Sequence, residues 1–258
     1  MNKKPIAAKF FIASIFCLGF FLISAQRNQF PHPWSWPSVA EKERVIQHTA
    51  FSLVYSHKHM QSKWVAYELS LFNINGSAER SRKFLVDPSI FPSTALTSDF
   101  TKTGYDRGHL APAGDMKFSE KAMLESFYMS NISPQLPGFN RGIWKKLEEQ
   151  CRSWAPSSHP LFLVTGPILT DNLNTHIGKT CSISVPKRFF KVILDTAAPM
   201  RAIGFVLENV SSTLPLKHFA LSIDEVEKIT GLDFFPRLSD SQETKIEKQV
   251  SLQNWNLY

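Results

Sequence analysis

The stretch RFFKVILDTAAPMRAIGFVLEN, residues 188–209, indicates the fold class. Residues 188–195 and 201–209 are two runs rich in β-branched and aromatic residues, and a proline-containing segment separates them. Runs of this composition bounded by turn formers predict strands. The stretch therefore predicts that a sheet forms the centre of the protein.

The sequence on either side of this stretch extends the same pattern. Further strand-like runs are TAFSLVY (49–55), KWVAYELSL (63–71) and LFLVTGP (161–167). Amphipathic or capped segments predict helices over 119–127, 140–154 and 222–230. With no internal repeat and no second linker, we expect one α+β domain over 45–258, built on a central antiparallel sheet with flanking helices.

Composition excludes some classes of protein and suggests a partner. The chain has 258 residues, of which 43% are hydrophobic and 20% charged, so collagen-like and wholly disordered classes are excluded. Its 29 Lys and Arg exceed its 22 Asp and Glu by seven, which suggests a polyanionic partner. Three of those lysines lie in residues 1–25, which leaves 26 basic against 22 acidic residues beyond them. Residues 217–258 are acidic, with 5 basic and 7 acidic side chains.

The N-terminus has the pattern of a targeting segment. Lys3, Lys4 and Lys9 precede an apolar run over 10–23, which is shorter than the ~20 residues of a usual spanning helix. We expect residues 1–25 to be a signal peptide or an uncleaved N-terminal anchor, followed by a linker over 26–44. The expected location is exported, either periplasmic or secreted, with tethering to a membrane by residues 10–25 as the alternative.

Cleavage after residue 25 would remove Cys17 and leave two cysteines. Cys151 and Cys181 then either form one disulfide or remain two separate buried thiols, and the sequence leaves both alternatives open.

The chemistry-bearing residues concentrate in TGYDRGHLAPAGDM, residues 103–116. The Asp-Arg-Gly-His tetrad at 106–109 is followed by Pro112 and Gly114, which predicts a strand end or a loop facing a cleft. A neutral imidazole at His109 can accept a proton from water near pH 7. The adjacent guanidinium of Arg107 can hold a phosphate through two hydrogen bonds.

The predicted helix 140–154 carries a second pair of polar residues. Asn140 and Glu148 are eight residues apart, about 80° around a helix axis, so both can face one cleft. An amide oxygen together with water molecules suits Mg²⁺. The alternatives are that Asn140 is a helix cap and that Glu148 lies on a solvated face.

Together these motifs resemble the DNA/RNA non-specific endonucleases, a family of the ββα-metal superfamily that includes endonuclease G. The resemblance rests first on the tetrad with its LAPA continuation, on FYMSNISPQ (127–135) and on FNRGIWKKLE (139–148). It also covers segments in order across about 190 residues, including WVAYELS (64–70), ERSRKFLVDP (79–88) and IDEVEKITGLDFFPRL (223–238).

The resemblance implies roles for individual residues. His109 resembles the general base, Asn140 the direct protein ligand of one divalent metal, and Glu148 a group that contacts this metal through water. The cofactor is then Mg²⁺, with Mn²⁺ as the alternative. The remaining residues are Arg107 and Arg80 as catalytic and substrate-binding arginines, Arg141 as a substrate-binding residue, and Asp106 and Asn131 as structural residues near the site. Arg82, two residues from Arg80, is the alternative for the upstream arginine.

The resemblance also implies activity and partners. We expect hydrolysis of phosphodiester bonds in DNA and RNA to 5′-phosphate ends, with an inhibitor protein as a further partner. The sequence has no zinc-finger spacing or recognition-helix signature, so we expect little base preference. Two alternatives stay open: a non-catalytic nucleic-acid-binding protein, and a nuclease toxin or effector with a dedicated inhibitor.

Overall fold

A seven-stranded antiparallel sheet forms the centre of the protein in a computed structural model that describes residues 35–170, 172–248 and 250–257. The strand order is β1-β2-β3-β6-β9-β10-β11, and every neighbouring pair is antiparallel. These strands are β1 (Val45–Gln47), β2 (Phe51–Ser56), β3 (Gln61–Leu69), β6 (Leu161–Pro167), β9 (Arg188–Asp195), β10 (Arg201–Glu208) and β11 (Ala220–Leu221).

Smaller sheets and helices complete the fold. One two-stranded sheet pairs β4 (Asp106–His109) with β5 (Ile132–Gln135), and another pairs β7 (His176–Ile177) with β8 (Ile183–Ser184). The α-helices are α1 (Leu71–Ile74), α2 (Glu120–Ser126), α3 (Lys145–Trp154), α4 (Ile223–Thr230) and α5 (Asp240–Glu247). The prediction of an α+β fold on a central antiparallel sheet is confirmed.

Both faces of the large sheet are buried. Along β9, Phe189 and Ile193 belong to one apolar cluster, whereas the alternate residues Phe190, Val192 and Leu194 belong to another. This alternation follows from the two-residue repeat of a strand. The buried apolar residues of α3 belong to the first cluster, and those of α4 and α5 belong to the second. These helices therefore cover opposite faces of the sheet.

The predicted helix ends are mostly correct. The Ser119 hydroxyl accepts a hydrogen bond from the backbone N–H of Ala122 at the start of α2. The Ser222 hydroxyl accepts one from Glu225 at the start of α4, and that helix ends at Gly231, whose φ is +71°. A left-handed conformation of this kind favours glycine.

The predicted helix over 140–154 is wrong in its first third. Residues 139–144 form an irregular turn of π-helical pattern, in which Gly142 has φ −103° and ψ −110°, and α3 begins only at Lys145. Apolar periodicity does not reveal such a break, because Phe139 before Gly142 and Ile143 and Trp144 after it are all buried.

Residues 35–44 of the expected linker are described, whereas the expected signal 1–25 and residues 26–34 lie outside the described residues. Trp36 packs against the second apolar cluster, and Ser38 N–H donates to the carbonyl of Asp233. No helix among the described residues is long and apolar enough to cross a membrane. Cys151 and Cys181 are both free thiols, so the structure has no disulfide between them.

Candidate functional site

The Asp-Arg-Gly-His segment forms strand β4 at one side of the protein. In its pairing with β5, His109 lies opposite Ile132 and Asp106 lies opposite Gln135. Gly108 leaves room for the buried side chain of Gln135, because a Cβ atom there would lie 2.1 Å from its Oε1. Since β5 leads through the turn 139–144 into α3, two strands and one helix form the framework of the site.

His109, the last residue of β4, lies between aromatic rings. Its ring centroid is 4.7 Å from that of Phe127 and 5.5 Å from that of Phe84. Nε2 is buried and has no hydrogen-bond partner. Burial, followed by the positive charge of Arg80, lowers the pKa of His109 to about 3. The imidazole is therefore neutral at pH 7, with an unpartnered nitrogen.

Asp106, the first residue of β4, positions two residues of the turn before α3. Its Oδ2 accepts a hydrogen bond from Nδ2 of Asn140 at 2.9 Å. Arg141 donates to both carboxylate oxygens, from Nε at 2.8 Å and Nη2 at 2.6 Å. Burial acts to raise the pKa of Asp106, but these hydrogen bonds outweigh it and lower the pKa. Asp106 is therefore an ionised anchor that connects β4 to the turn.

Asn140 is suited to hold a metal ion. It lies inside the irregular turn, so it is not the cap of a regular helix. Because Nδ2 is bound to Asp106, the amide presents Oδ1 as its remaining acceptor. An amide oxygen together with the carboxylate of Glu148 would be an all-oxygen donor set, which Mg²⁺ and Mn²⁺ accept.

Two arginines lie close to His109. The guanidinium of Arg80 lies 5.1 Å above the ring of Phe127, and its charge lowers the pKa values of both His109 and Glu148. Arg82 lines the same cavity beside Phe84 and Phe127, but among the described residues no ring contact or charge effect of this kind connects it to His109. Both residues lie in coil, not in a strand, so strand alternation does not choose between them.

The guanidinium of Arg107 also lies close to two aromatic rings. It lies 5.5 Å from the centroid of Phe84 and 5.8 Å from that of Phe100. Nη2 donates to the carbonyl of Thr97 at 2.7 Å, whereas Nε has no partner. The side chain is thus fixed in place with an N–H group still able to donate.

Glu148 lies on the first turn of α3, above a buried cluster of charges that the sequence did not predict. Burial raises the pKa of Glu148 to about 7, and the positive charge of Lys191 opposes this rise. Lys191 is fully buried, with Nζ 4.9 Å from the ring of Trp144. Arg152, four residues after Glu148, donates to the buried carboxylate of Asp115 at 2.8 Å. A lone lysine inside the apolar run of β9 is the signal that could have indicated this cluster.

Asn131 supports the loop that follows His109. Its Oδ1 accepts from the backbone N–H of Ala111, and its Nδ2 donates to the carbonyls of Ala111 and Ser126. The side chain is fully buried and uses its donors and acceptor on the backbone. This geometry agrees with the structural role expected for Asn131.

The strand pair, the turn and α3 together define a ββα-metal fold. Residues 38–241 match the family described as DNA/RNA non-specific endonuclease. This chain belongs to that family, and its predicted family resemblance is confirmed.

Individual relatives extend the comparison. The chain is 38% identical over 212 residues to nuclease EXOG, mitochondrial, from Danio rerio, a match that covers 76% of this chain and 62% of that one. It is 34% identical over 226 residues to the mitochondrial nuclease of Saccharomyces cerevisiae, with 79% and 69% covered. The chain spans about three fifths of the length of the EXOG relatives.

A solved structure has the same fold. The crystal structure of the EndoG/EndoGI complex, which concerns the mechanism of EndoG inhibition, matches with a TM-score of 0.72 and 29% identity. The match covers 81% of this chain and 91% of that chain. The likeness therefore extends to most of the described part of the protein.

The comparison corrects the expected location. Nuclease EXOG of Danio rerio, the nuclease of Saccharomyces cerevisiae and endonuclease G of Bos taurus are all named as mitochondrial. These relatives point to mitochondria, so the expectation of an exported, periplasmic, secreted or membrane-tethered protein is wrong. A basic segment followed by an apolar run did not distinguish between these destinations.

Proposed function

We propose that this chain is a metal-dependent endonuclease that hydrolyses phosphodiester bonds of DNA and RNA to 5′-phosphate ends, with little base preference. The observation that carries the proposal is the contact between the tetrad and the turn before α3. Asp106 at one end of β4 fixes the amide of Asn140, while His109 at the other end presents an unpartnered nitrogen. Family membership and relatives named as nucleases support it.

His109 is proposed as the general base that takes the proton from the attacking water. Its neutral ring can accept a proton on Nε2. An anionic phosphate placed beside the ring would raise the pKa of the imidazole, since an opposite charge favours the protonated form. Phe84 and Phe127 fix the ring plane. A general base at this position contributes about 10²–10⁴-fold to the rate.

Arg80, Arg107 and Arg141 are proposed to bind the phosphate backbone. Guanidinium groups form paired hydrogen bonds with phosphate oxygens. Arg80 and Arg107 are held by aromatic faces and need little reorganisation, so they can stabilise charge on the transferring phosphate. Arg141 is held by Asp106 at the edge of the site, where its side chain is largely exposed.

Asn140 would hold the divalent cation directly, and Glu148 would contact it through water. Such a cation supplies Lewis acidity at the phosphate and at the leaving 3′-oxygen. We propose Mg²⁺, with Mn²⁺ as the alternative. Because one amide is a weak ligand set, affinity for the free ion should be modest.

Supercoiled plasmid and a structured RNA, each incubated with the protein and Mg²⁺ or Mn²⁺, test the proposal. Cleavage of both substrates that EDTA abolishes is expected, with ends that ligase joins without prior phosphorylation. His109→Ala should lose at least about 10²-fold in rate while staying folded. Binding of nucleic acid without cleavage under every metal condition would favour the non-catalytic alternative.

A protein inhibitor is proposed as a further partner, because the matched solved structure is a complex that concerns inhibition. An acidic protein that covers Arg80, Arg107 and Arg141 would compete with the phosphate backbone. Inhibition by such a protein should raise the apparent KM for DNA without lowering kcat, whereas a fall in kcat alone would contradict binding at these arginines.

A further inference from the structure

Three carboxylates meet on the face of the large sheet that is opposite α3. Asp224 and Glu227 lie on α4, and Glu247 is the last residue of α5. One carboxylate oxygen from each lies within 4.8 Å of the others. The two helices pack against the second apolar cluster through Val226 and Ile246, which fixes the backbone that carries these acids.

The surroundings of Glu247 are those of a possible ion ligand. The residue is only 6% exposed, and its Oε1 is buried without a hydrogen-bond partner. The charges that act on it most strongly are all negative, from Glu227, Glu243, Asp224 and Asp233. A buried carboxylate without a donor or a cation is strongly disfavoured.

We propose that Asp224, Glu227 and Glu247 bind one Ca²⁺ ion, which joins α4 to α5. Ca²⁺ takes oxygen ligands at about 2.3–2.6 Å, so oxygens on opposite sides of the ion lie about 4.8 Å apart. The spacing of the three carboxylates is within this limit. Mg²⁺ requires about 2.1 Å and keeps several water molecules, so a set of three protein carboxylates favours Ca²⁺.

The backbone of this region leaves the carboxylates available. Oε1 of Glu227 accepts a hydrogen bond from the backbone N–H of Phe234 at 2.7 Å, which orients the side chain and leaves Oε2 for the ion. Asp224 is half-buried in the first turn of α4 and gives solvent a path to the site. Water molecules can complete the coordination through this opening.

The proposed ion has a structural consequence for α5. This helix has the sequence DSQETKIE, in which Ile246 is the buried apolar residue. Because α5 buries so little apolar surface, its packing on the sheet is weak. An ion bound by both helices would attach the C-terminal end of α5 to α4. Ca²⁺ that binds only the folded protein raises the unfolding temperature by linkage.

The test uses the full chain carrying Asn140→Ala, so that binding at the proposed nuclease centre is reduced. After treatment with EDTA and its removal, CaCl₂ is titrated by calorimetry and the unfolding temperature is followed in parallel. One ion per chain and a higher Tm are expected. Glu247→Gln and Asp224→Asn, each added to this background, should weaken Ca²⁺ binding at least about tenfold. Glu243→Gln is the matched control, since it removes one nearby negative charge without removing a proposed ligand.

Glu247→Gln gives a second readout in the absence of Ca²⁺. Because it removes a buried unpaired charge, its unfolding temperature without metal should equal or exceed that of the parent, while its rise with Ca²⁺ is lost. No binding of Ca²⁺ by the parent up to about 10 mM would overturn the proposal, since even weak protein sites saturate by then. Equal binding by the parent, Glu247→Gln and Asp224→Asn would overturn it as well. If Glu247→Gln does not fold, Asp224→Asn decides.

Discussion

The substitution Asp106→Ala separates the positioning of the site from the stability of the fold. It removes three hydrogen bonds, two from Arg141 and one from Asn140. The Arg141 side chain is 72% exposed, so its ion pair contributes about 0–1 kcal/mol. Because Asp106 is ionised, the bond from Asn140 contributes about 1.5–3 kcal/mol. The free energy of unfolding should therefore fall by at most about 4 kcal/mol.

Asp106→Ala should also weaken the proposed metal binding and the activity that depends on it. Without Asp106, Nδ2 of Asn140 loses the acceptor that orients it, so the amide can rotate its oxygen away from the position proposed for the metal. Loss of a group that orients a ligand costs about 10- to 100-fold in metal affinity or activity, or about 1.4–2.8 kcal/mol.

Initial rates of plasmid nicking, measured as a function of Mg²⁺ concentration, provide the assay. Asp106→Ala should raise the half-saturating Mg²⁺ concentration about 10- to 100-fold. Arg141→Ala is the control, because it removes the same ion pair but leaves the contact between Asp106 and Asn140. It should raise KM for DNA and keep the half-saturating Mg²⁺ concentration. A folded Asp106→Ala protein with the rate and Mg²⁺ dependence of the parent would refute the positioning role.

Three further outcomes are expected. In the metal-free protein, NMR should show that His109 titrates near pH 3. Because the unfolded chain takes that proton near pH 6.5, the free energy of unfolding should fall as the pH drops from about 6.5 to about 3. A titration midpoint of His109 above pH 5.5 would contradict its burial. Lys191→Met leaves Glu148 without the buried positive charge that acts on it most strongly, and should lower the free energy of unfolding in urea by about 3 kcal/mol or more, so an unchanged midpoint would speak against the buried cluster. At low substrate concentration, the rate of cleavage should fall about tenfold or more between 50 and 200 mM salt. A constant rate would exclude binding that depends on phosphate contacts.

Local patterns predicted the regular elements well, because they depend on nearby residues. Strands β6 and β9 have the predicted bounds, 161–167 and 188–195. The hydroxyl of Ser222 caps α4 as expected, since capping needs only a donor three residues away. The irregular turn over 139–144 was not predictable in this way, because its apolar residues keep a helical spacing while Gly142 leaves the helical conformation.

The candidate residues could be named from the sequence, but their contacts could not. Nothing in the order of residues brings Asp106 within 2.9 Å of an amide 34 positions later. The preference for Arg80 over Arg82 rests on a contact with the ring of Phe127, which lies more than forty residues away in the chain. The basic and apolar pattern of the N-terminus predicted targeting to the wrong compartment.

The sequence by itself determined the family and the α+β class, and it singled out His109, Asn140 and Glu148 as candidates, because these inferences depend on residue types in a fixed order. Only the tertiary structure decided which of them lie together and what burial does to them. It buried Lys191 against Trp144 where its charge acts on Glu148, left Nε2 of His109 without a hydrogen-bond partner, and brought the carboxylates of α4 and α5 within 4.8 Å of one another. The physical reason is that solvation and charge depend on three-dimensional neighbours, which local sequence patterns do not specify.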